Sequence, residues 1–202
     1  MVRRLRLISG LILFIYVLTH LLNLVLALVS FPALEAGREV FVAVWRWLPL
    51  TLLLYASLLT HLALAFYAIF RRDSLAMPLV EALRYAFGVL IIPLAALHIL
   101  GTRLVHEVYG VDDSYLYVVS AQWASGVGLA LQQAVLVLVV WSHGCIGLHL
   151  WLRLKPWYAT AAPAALAAAV LLPTLALAGY LAAGKEVLQR AQEPGFIASV
   201  MA

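Results

Sequence analysis

Residues 6–30 read RLISGLILFIYVLTHLLNLVLALVS, an almost unbroken apolar run that opens on Arg6 and carries one histidine, His20, near its middle. A hydrocarbon core of roughly 30 Å takes about 20 helical residues to cross, so the run predicts a membrane-spanning helix over 8–30. Arg3, Arg4 and Arg6 resemble the basic head of a signal peptide. The apolar stretch is too long for one, however, and Leu26-Ala27-Leu28-Val29-Ser30 makes a poor cleavage site.

The rest of the chain repeats this pattern. Of its 202 residues 66% are hydrophobic and only 11% charged, with a mean hydropathy of +1.04. Soluble globular domains are about half apolar and a quarter charged, so the composition excludes that class. Four further runs long enough to span are expected near 48–70, 86–107, 127–152 and 158–183. The single cysteine, Cys145, excludes an internal disulfide and a thiolate metal cluster.

Charge placement suggests an orientation. With the N-terminus inside, the cytoplasmic segments hold Arg3, Arg4, Arg6, Arg71, Arg72, Arg84, Arg153 and Lys155 against only Asp73 and Glu81. The opposite side holds Arg38, Arg46, Arg103, Lys185 and Arg190 with the seven other acids. The positive-inside rule therefore predicts a cytoplasmic N-terminus. The expectation is an all-α, up-and-down bundle of five transmembrane helices over 1–183, in a plasma membrane, with short loops joining sequential neighbours. Residues 31–47 and 108–126 are expected as outer loops and 184–202 as an amphipathic outer tail. The aromatics Trp45, Trp47, Trp123, Trp151, Trp157 and Tyr158 suit interfacial belts. Membrane lipid is the first partner this implies; no nucleic-acid partner is expected.

His20, His61, His98 and His143 each lie deep in a different span. Ionisable groups at that depth are costly and need an explanation. Arg6 to His20 and Arg84 to His98 are both 14 residues; His61 to Arg71 and His143 to Arg153 are both 10. At 1.5 Å per residue these are depths of about 21 and about 15 Å. The histidines sort into an outer rung, His20 with His98, and an inner rung, His61 with His143. Two imidazoles per rung, from two helices, suit the two faces of a haem iron. Interhelical hydrogen bonding is the plain alternative. A zinc or copper cluster would need its ligands to converge at one depth, and a proton relay would want buried carboxylates.

Other residues support a flat, anionic cofactor. Gly10 and Gly88 each precede a rung histidine by ten residues, and Gly144 and Gly147 flank His143; bare backbone leaves room for a macrocycle or for close helix packing. Ser9 and Thr60 could hydrogen-bond a ligand or their own helices. Arg103 is the best outer partner for a propionate, with Arg6, Arg84 and Arg153 available inside. His106, beside Glu107, is placed to help propionate binding or proton exchange at a quinone site. His149 lies six residues past His143, off its face, and is left out of the ligand set.

These features resemble the membrane-anchor cytochrome b subunits of the diheme succinate dehydrogenase and fumarate reductase superfamily. Arg6 through Gly10, His20, His61, the Arg84–Gly88–His98 spacing, and His143 with Gly147 carry that likeness. A more specific resemblance is to the N-terminal membrane region of bacterial class III adenylate/guanylate cyclases. It rests on RLRLISG at 4–10, THLLN at 19–23, GTRLVHE at 101–107, GVDDSY at 110–115 and WSHGCIGLH at 141–149. The resemblance implies two b-type haems (heme b), on His20/His98 and His61/His143, and a quinone or quinol as ligand from the membrane pool. It also implies a bacterial inner-membrane location, homodimerisation, a sixth helix beyond 202 and a cytoplasmic cyclase output domain. The anchor-subunit likeness would instead imply iron–sulfur and flavoprotein partners. These residues hold no cyclase catalytic carboxylates, so the segment itself is not expected to be a cyclase.

Overall fold

The computed structural model describes residues 2–74, 76–124 and 126–201, and every regular element among them is helical; Ala202, the end of the expected tail, lies outside them. Five helices are long and apolar enough to span a membrane, as a multi-pass membrane protein requires. They are α1 (Val2–Val25), α3 (Leu48–Phe70), α4 (Leu79–Ile99), α7 (Val127–Leu152) and α8 (Tyr158–Arg190). A π-helical segment, Leu100–Leu104, joins α4 to α5 (Val105–Tyr109) as one continuous rod.

Both expected outer loops contain a helix. Ser30 caps α2 (Phe31–Trp45): its hydroxyl accepts from the Ala33 amide, and Pro32 sits in the first turn where its missing N–H costs nothing. The second is α6 (Tyr115–Ala124), whose Leu116 amide donates to the Glu35 carboxylate at 2.8 Å. The fifth span continues past 183 to Arg190, and the chain ends in the short α9 (Phe196–Met201).

The packing is not a simple sequence of neighbours. α1 packs along α3, α4 along α7, and α8 against both α1 and α7. The sequential pair α3 and α4 makes no sustained close approach among the described residues. The densest core lies where α1, α2, α6, α7 and α8 meet, around Leu21, Leu34, Val119, Ala176 and Val187. In a membrane, lipid is as apolar as a core, so contact geometry decides which helix faces touch. Gly179 of α8 lies against the Leu24 carbonyl of α1, where any Cβ would collide with backbone. Helices α3 and α4 bury almost nothing in this core, Ser57 being the buried residue of α3.

Candidate functional site: two histidine rungs between helix pairs

The close-packed pairs α1/α3 and α4/α7 stand opposite each other. Between them the described residues bring α1 near α7, through Phe14 stacked on Trp141 at 5.0 Å, with no sustained backbone approach of α1 to α4 or of α3 to α7. The four span histidines face each other across those two wider gaps. His20 of α1 and His98 of α4 have ring centres 6.0 Å apart; His61 of α3 and His143 of α7 are 6.2 Å apart with rings at 87°. Two imidazoles bound through nitrogen to one metal, at about 2.0 Å per bond, have ring centres roughly 6 Å apart. Both separations fit that arrangement.

The His61/His143 rung is built by a repeated device. Nδ1 of His61 donates to the Arg6 carbonyl at 3.2 Å, and Nδ1 of His143 donates to the Arg84 carbonyl at 2.9 Å. A carbonyl only accepts, so both protons sit on Nδ1 and both Nε2 lone pairs are free. Four residues beyond each arginine is a glycine that lets the ring approach. A methyl group at Gly10 would lie 2.9 Å from Cε1 of His61, and one at Gly88 3.0 Å from Cε1 of His143. Ser9, buried between them, donates to the Arg6 carbonyl at 3.1 Å and lies 3.4 Å from His61 Nδ1. The glycines expected to make room for a macrocycle thus seat imidazoles of the neighbouring helix. Arg6 and Arg84 meet the histidines through backbone oxygen; the Arg84 guanidinium stacks over Tyr85 at 5.0 Å.

The His20/His98 rung has different walls. The His20 ring lies nearly parallel to Tyr16 and Tyr115, at 6.2 and 6.5 Å, with Phe41 at 5.2 Å. Trp45 meets Tyr16 edge-on and donates to the Thr19 hydroxyl at 3.1 Å. The Nδ1 atoms of His20 and His98 are buried with no hydrogen-bond partner among the described residues. Gln133 of α7 lies beside His98 and continues to Gln122 at 3.4 Å and the Tyr180 hydroxyl at 2.7 Å. The π segment begins two residues after His98, and Thr102 donates back to the His98 carbonyl at 2.6 Å.

A polar latch closes this end of the bundle. Asp113, 8% exposed, takes Arg38 Nη2 at 2.5 Å on one carboxylate oxygen and Arg46 Nη2 on the other. Arg38 also bonds Asp112 and the Asp113 carbonyl. Arg46 donates to His106 Nε2 at 3.1 Å, while His106 Nδ1 donates to the Val111 carbonyl at 2.8 Å. Burial alone raises the Asp113 carboxyl; the Arg38 hydrogen bond and both guanidinium charges outweigh it and hold the group below its ordinary value.

Several expected residues fall elsewhere. Arg103 pairs with Glu107 at 2.8 Å along its own helix. His106 belongs to the latch. His149 meets the Tyr158 hydroxyl at 3.0 Å near the α7–α8 turn, away from the His143 rung partners. Gly144 faces Phe14, and Gly147 has open space where a side chain would be. Sequence reading missed Tyr16, Phe41, Gln133 and the Arg46 contact and took Tyr115 only as part of the GVDDSY motif; apart from Tyr16, which stacks on His20 of its own helix, each acts on an element remote in sequence. No three His, Cys, Asp or Glu side chains converge on one metal-sized site among the described residues.

No family model, curated protein or solved structure matches this chain, so the two resemblances rest on the quoted motifs.

Proposed function

We propose that the chain is a haem-binding membrane domain carrying two b-type haems, with its N-terminus in the cytoplasm of a bacterial inner membrane. His20 with His98 and His61 with His143 would hold them. One observation carries the reading: both histidine pairs bridge the two helix pairs across the wider gaps, at the ring separation of two imidazoles on one metal. In the His61/His143 rung the Arg6 and Arg84 carbonyls also hold Nδ1 protonated, leaving Nε2 as ligand. Ser9 supports that seat, and Arg6 and Arg84 would supply cations near the ends of their spans for propionates, whereas the Arg103 guanidinium is taken by Glu107. When bound, a haem with imidazole on both faces supplies one-electron redox chemistry without an open coordination position.

Together with the loop-inclusive cyclase resemblance, this favours a redox- or quinone-responsive sensor and anchor for a cytoplasmic nucleotide cyclase. The reduced-minus-oxidised optical spectrum of the purified, haem-supplemented chain, with haem quantified per polypeptide, tests the cofactor. Two haems are expected, and His61→Ala and His98→Ala should each remove one. A folded protein with no haem spectrum defeats the reading. In the full-length protein, co-purification with dehydrogenase subunits instead of a fused cyclase would favour the respiratory anchor.

A further inference from the structure

Away from the histidine rungs, α7 and α8 present two facing stripes. On α7, Val127, Ala130, Leu131 and Ala134 follow at i, i+3, i+4 and i+7. On α8, Leu177, Leu181, Lys185 and Leu188 follow at i, i+4, i+8 and i+11. Between the helices lies an apolar slot of about 150 Å³, which shares Trp123 and Leu181 with a wider cavity of about 460 Å³ at the Lys185 end. We propose that the slot is a binding site for an anionic phospholipid, with one acyl chain between α7 and α8 and its phosphate on Lys185. The site goes beyond the haem reading and does not depend on it.

The slot is preformed. Ala130 and Ala134 leave the α7 wall shallow. Opposite them, Gly184 lets the Trp123 ring lie against α8, where any Cβ would collide with it. Tyr180, buried beside that ring at 5.4 Å, donates its hydroxyl to Gln122 at 2.7 Å. Neither aromatic is free to fold into the slot, so ordering its walls costs a guest little. Leu131 and Leu181 on the rim are exposed and lie within the spans, so the slot opens toward lipid. A dry apolar cavity of roughly 150 Å³ takes a benzene-sized guest, equivalent to about six carbons of an acyl chain.

Charge selects the head group. The apolar run of α8 ends at Ala183. At 1.5 Å per residue, Leu177 lies about 9 Å inward of that end and Lys185 about 3 Å beyond it, so a chain in the slot brings its phosphate level with the ammonium. Lys185 is exposed and makes no ion pair among the described residues. The neighbouring Glu186 carboxylate is taken by Arg190. Gln189, one turn on, and Gln192 line the same cavity and offer amide donors to phosphate or ester oxygens. A zwitterionic head group carries its own ammonium, which competes for the phosphate. An anionic one leaves that charge to the protein.

Brominated lipids, which quench tryptophan on contact, test the site in bilayers. The full chain is reconstituted in phosphatidylcholine containing equal fractions of either brominated phosphatidylglycerol or brominated phosphatidylcholine. The Trp123 signal is the difference between wild type and Trp123→Phe. Phosphatidylglycerol should associate about fivefold more strongly, the worth of one lysine facing an anionic lipid. Lys185→Gln should remove that preference, and Lys155→Gln, before the other end of α8, should keep it. Ala134→Phe, which fills the slot, should cut quenching by both lipids. Equal quenching by the two lipids in wild type, a preference that survives Lys185→Gln or is lost in Lys155→Gln, or full quenching in Ala134→Phe would each overturn the proposal. Thermal unfolding in detergent decides the matter if Trp123→Phe or Ala134→Phe does not fold. Added phosphatidylglycerol should then raise the wild-type midpoint more than phosphatidylcholine does, and Lys185→Gln should lose that gain; an equal gain in both proteins refutes the site.

Discussion

Replacing Asp113 by Asn tests whether the latch at the loop end is a structural clamp or surface decoration. The wild-type side chain is only 8% exposed and accepts one guanidinium on each carboxylate oxygen. Hydrogen bonds to charged groups contribute about 1.5–3 kcal/mol against about 0.5–1.5 for neutral ones. Asn keeps one acceptor oxygen and turns an amide N–H₂ toward the second guanidinium, so one bond is weakened and the other lost. The sum is about 2–4 kcal/mol. For a chain of this length each kcal/mol moves the melting temperature by about 2–4 °C, which places the expected drop at about 4–16 °C at pH 7.

The pH dependence is a second arm of the same assay. The Asp113 carboxyl is held below its ordinary value in the folded protein. Its contribution is therefore complete above the unfolded value, about 3.9, and is lost as pH falls through the folded one. Thermal unfolding in detergent should show wild type and Asp113→Asn far apart at neutral pH and converging in acid. A difference below 1 °C at pH 7, or one that stays constant as pH falls, would refute the clamp. Because the latch holds the α2 segment that carries Phe41 and Trp45, the variant should also perturb the His20/His98 spectral component more than the other.

Two further substitutions test the packing. Gly179→Ala places a methyl group on the Leu24 backbone oxygen and must part α1 from α8; a loss of about 1–3 kcal/mol is expected from detergent unfolding. Gly147→Ala, with open space around its new methyl, should instead be neutral or gain up to about 1 kcal/mol from helix propensity. Leu34→Ala empties a site that is 0% exposed, and a loss of about 2–5 kcal/mol is expected, read as the shift in the unfolding midpoint.

The five spans and the sorting of the four span histidines into two levels were legible in the sequence. Apolar length fixes a crossing, and a constant rise of 1.5 Å per residue turns counts from Arg6, Arg71, Arg84 and Arg153 into two levels. The same arithmetic put His20 with His98 and His61 with His143, as the ring separations now place them. Helices α2 and α6 were harder to read because neither is a long apolar run. The Ser30 cap and Pro32 at the start of α2 were passed over in reading 31–47 as a loop, and α6 begins with a bond to Glu35, far away in sequence.

What only the tertiary structure decided is direction around each helix axis. Counting residues gives height in the bundle, not which face meets which neighbour. That choice comes from contacts such as Gly179 on the Leu24 carbonyl, which set α8 against α1 and leave α3 and α4 apart. It turned Gly10 and Gly88 from spare room into seats for His61 and His143, and Arg6 and Arg84 from charges into carbonyl acceptors. It also left Nδ1 of His20 and His98 without partners. In lipid there is no water to drive helices together by burial alone, so close backbone approach and hydrogen bonding choose the faces. Neither can be read from one strand of sequence.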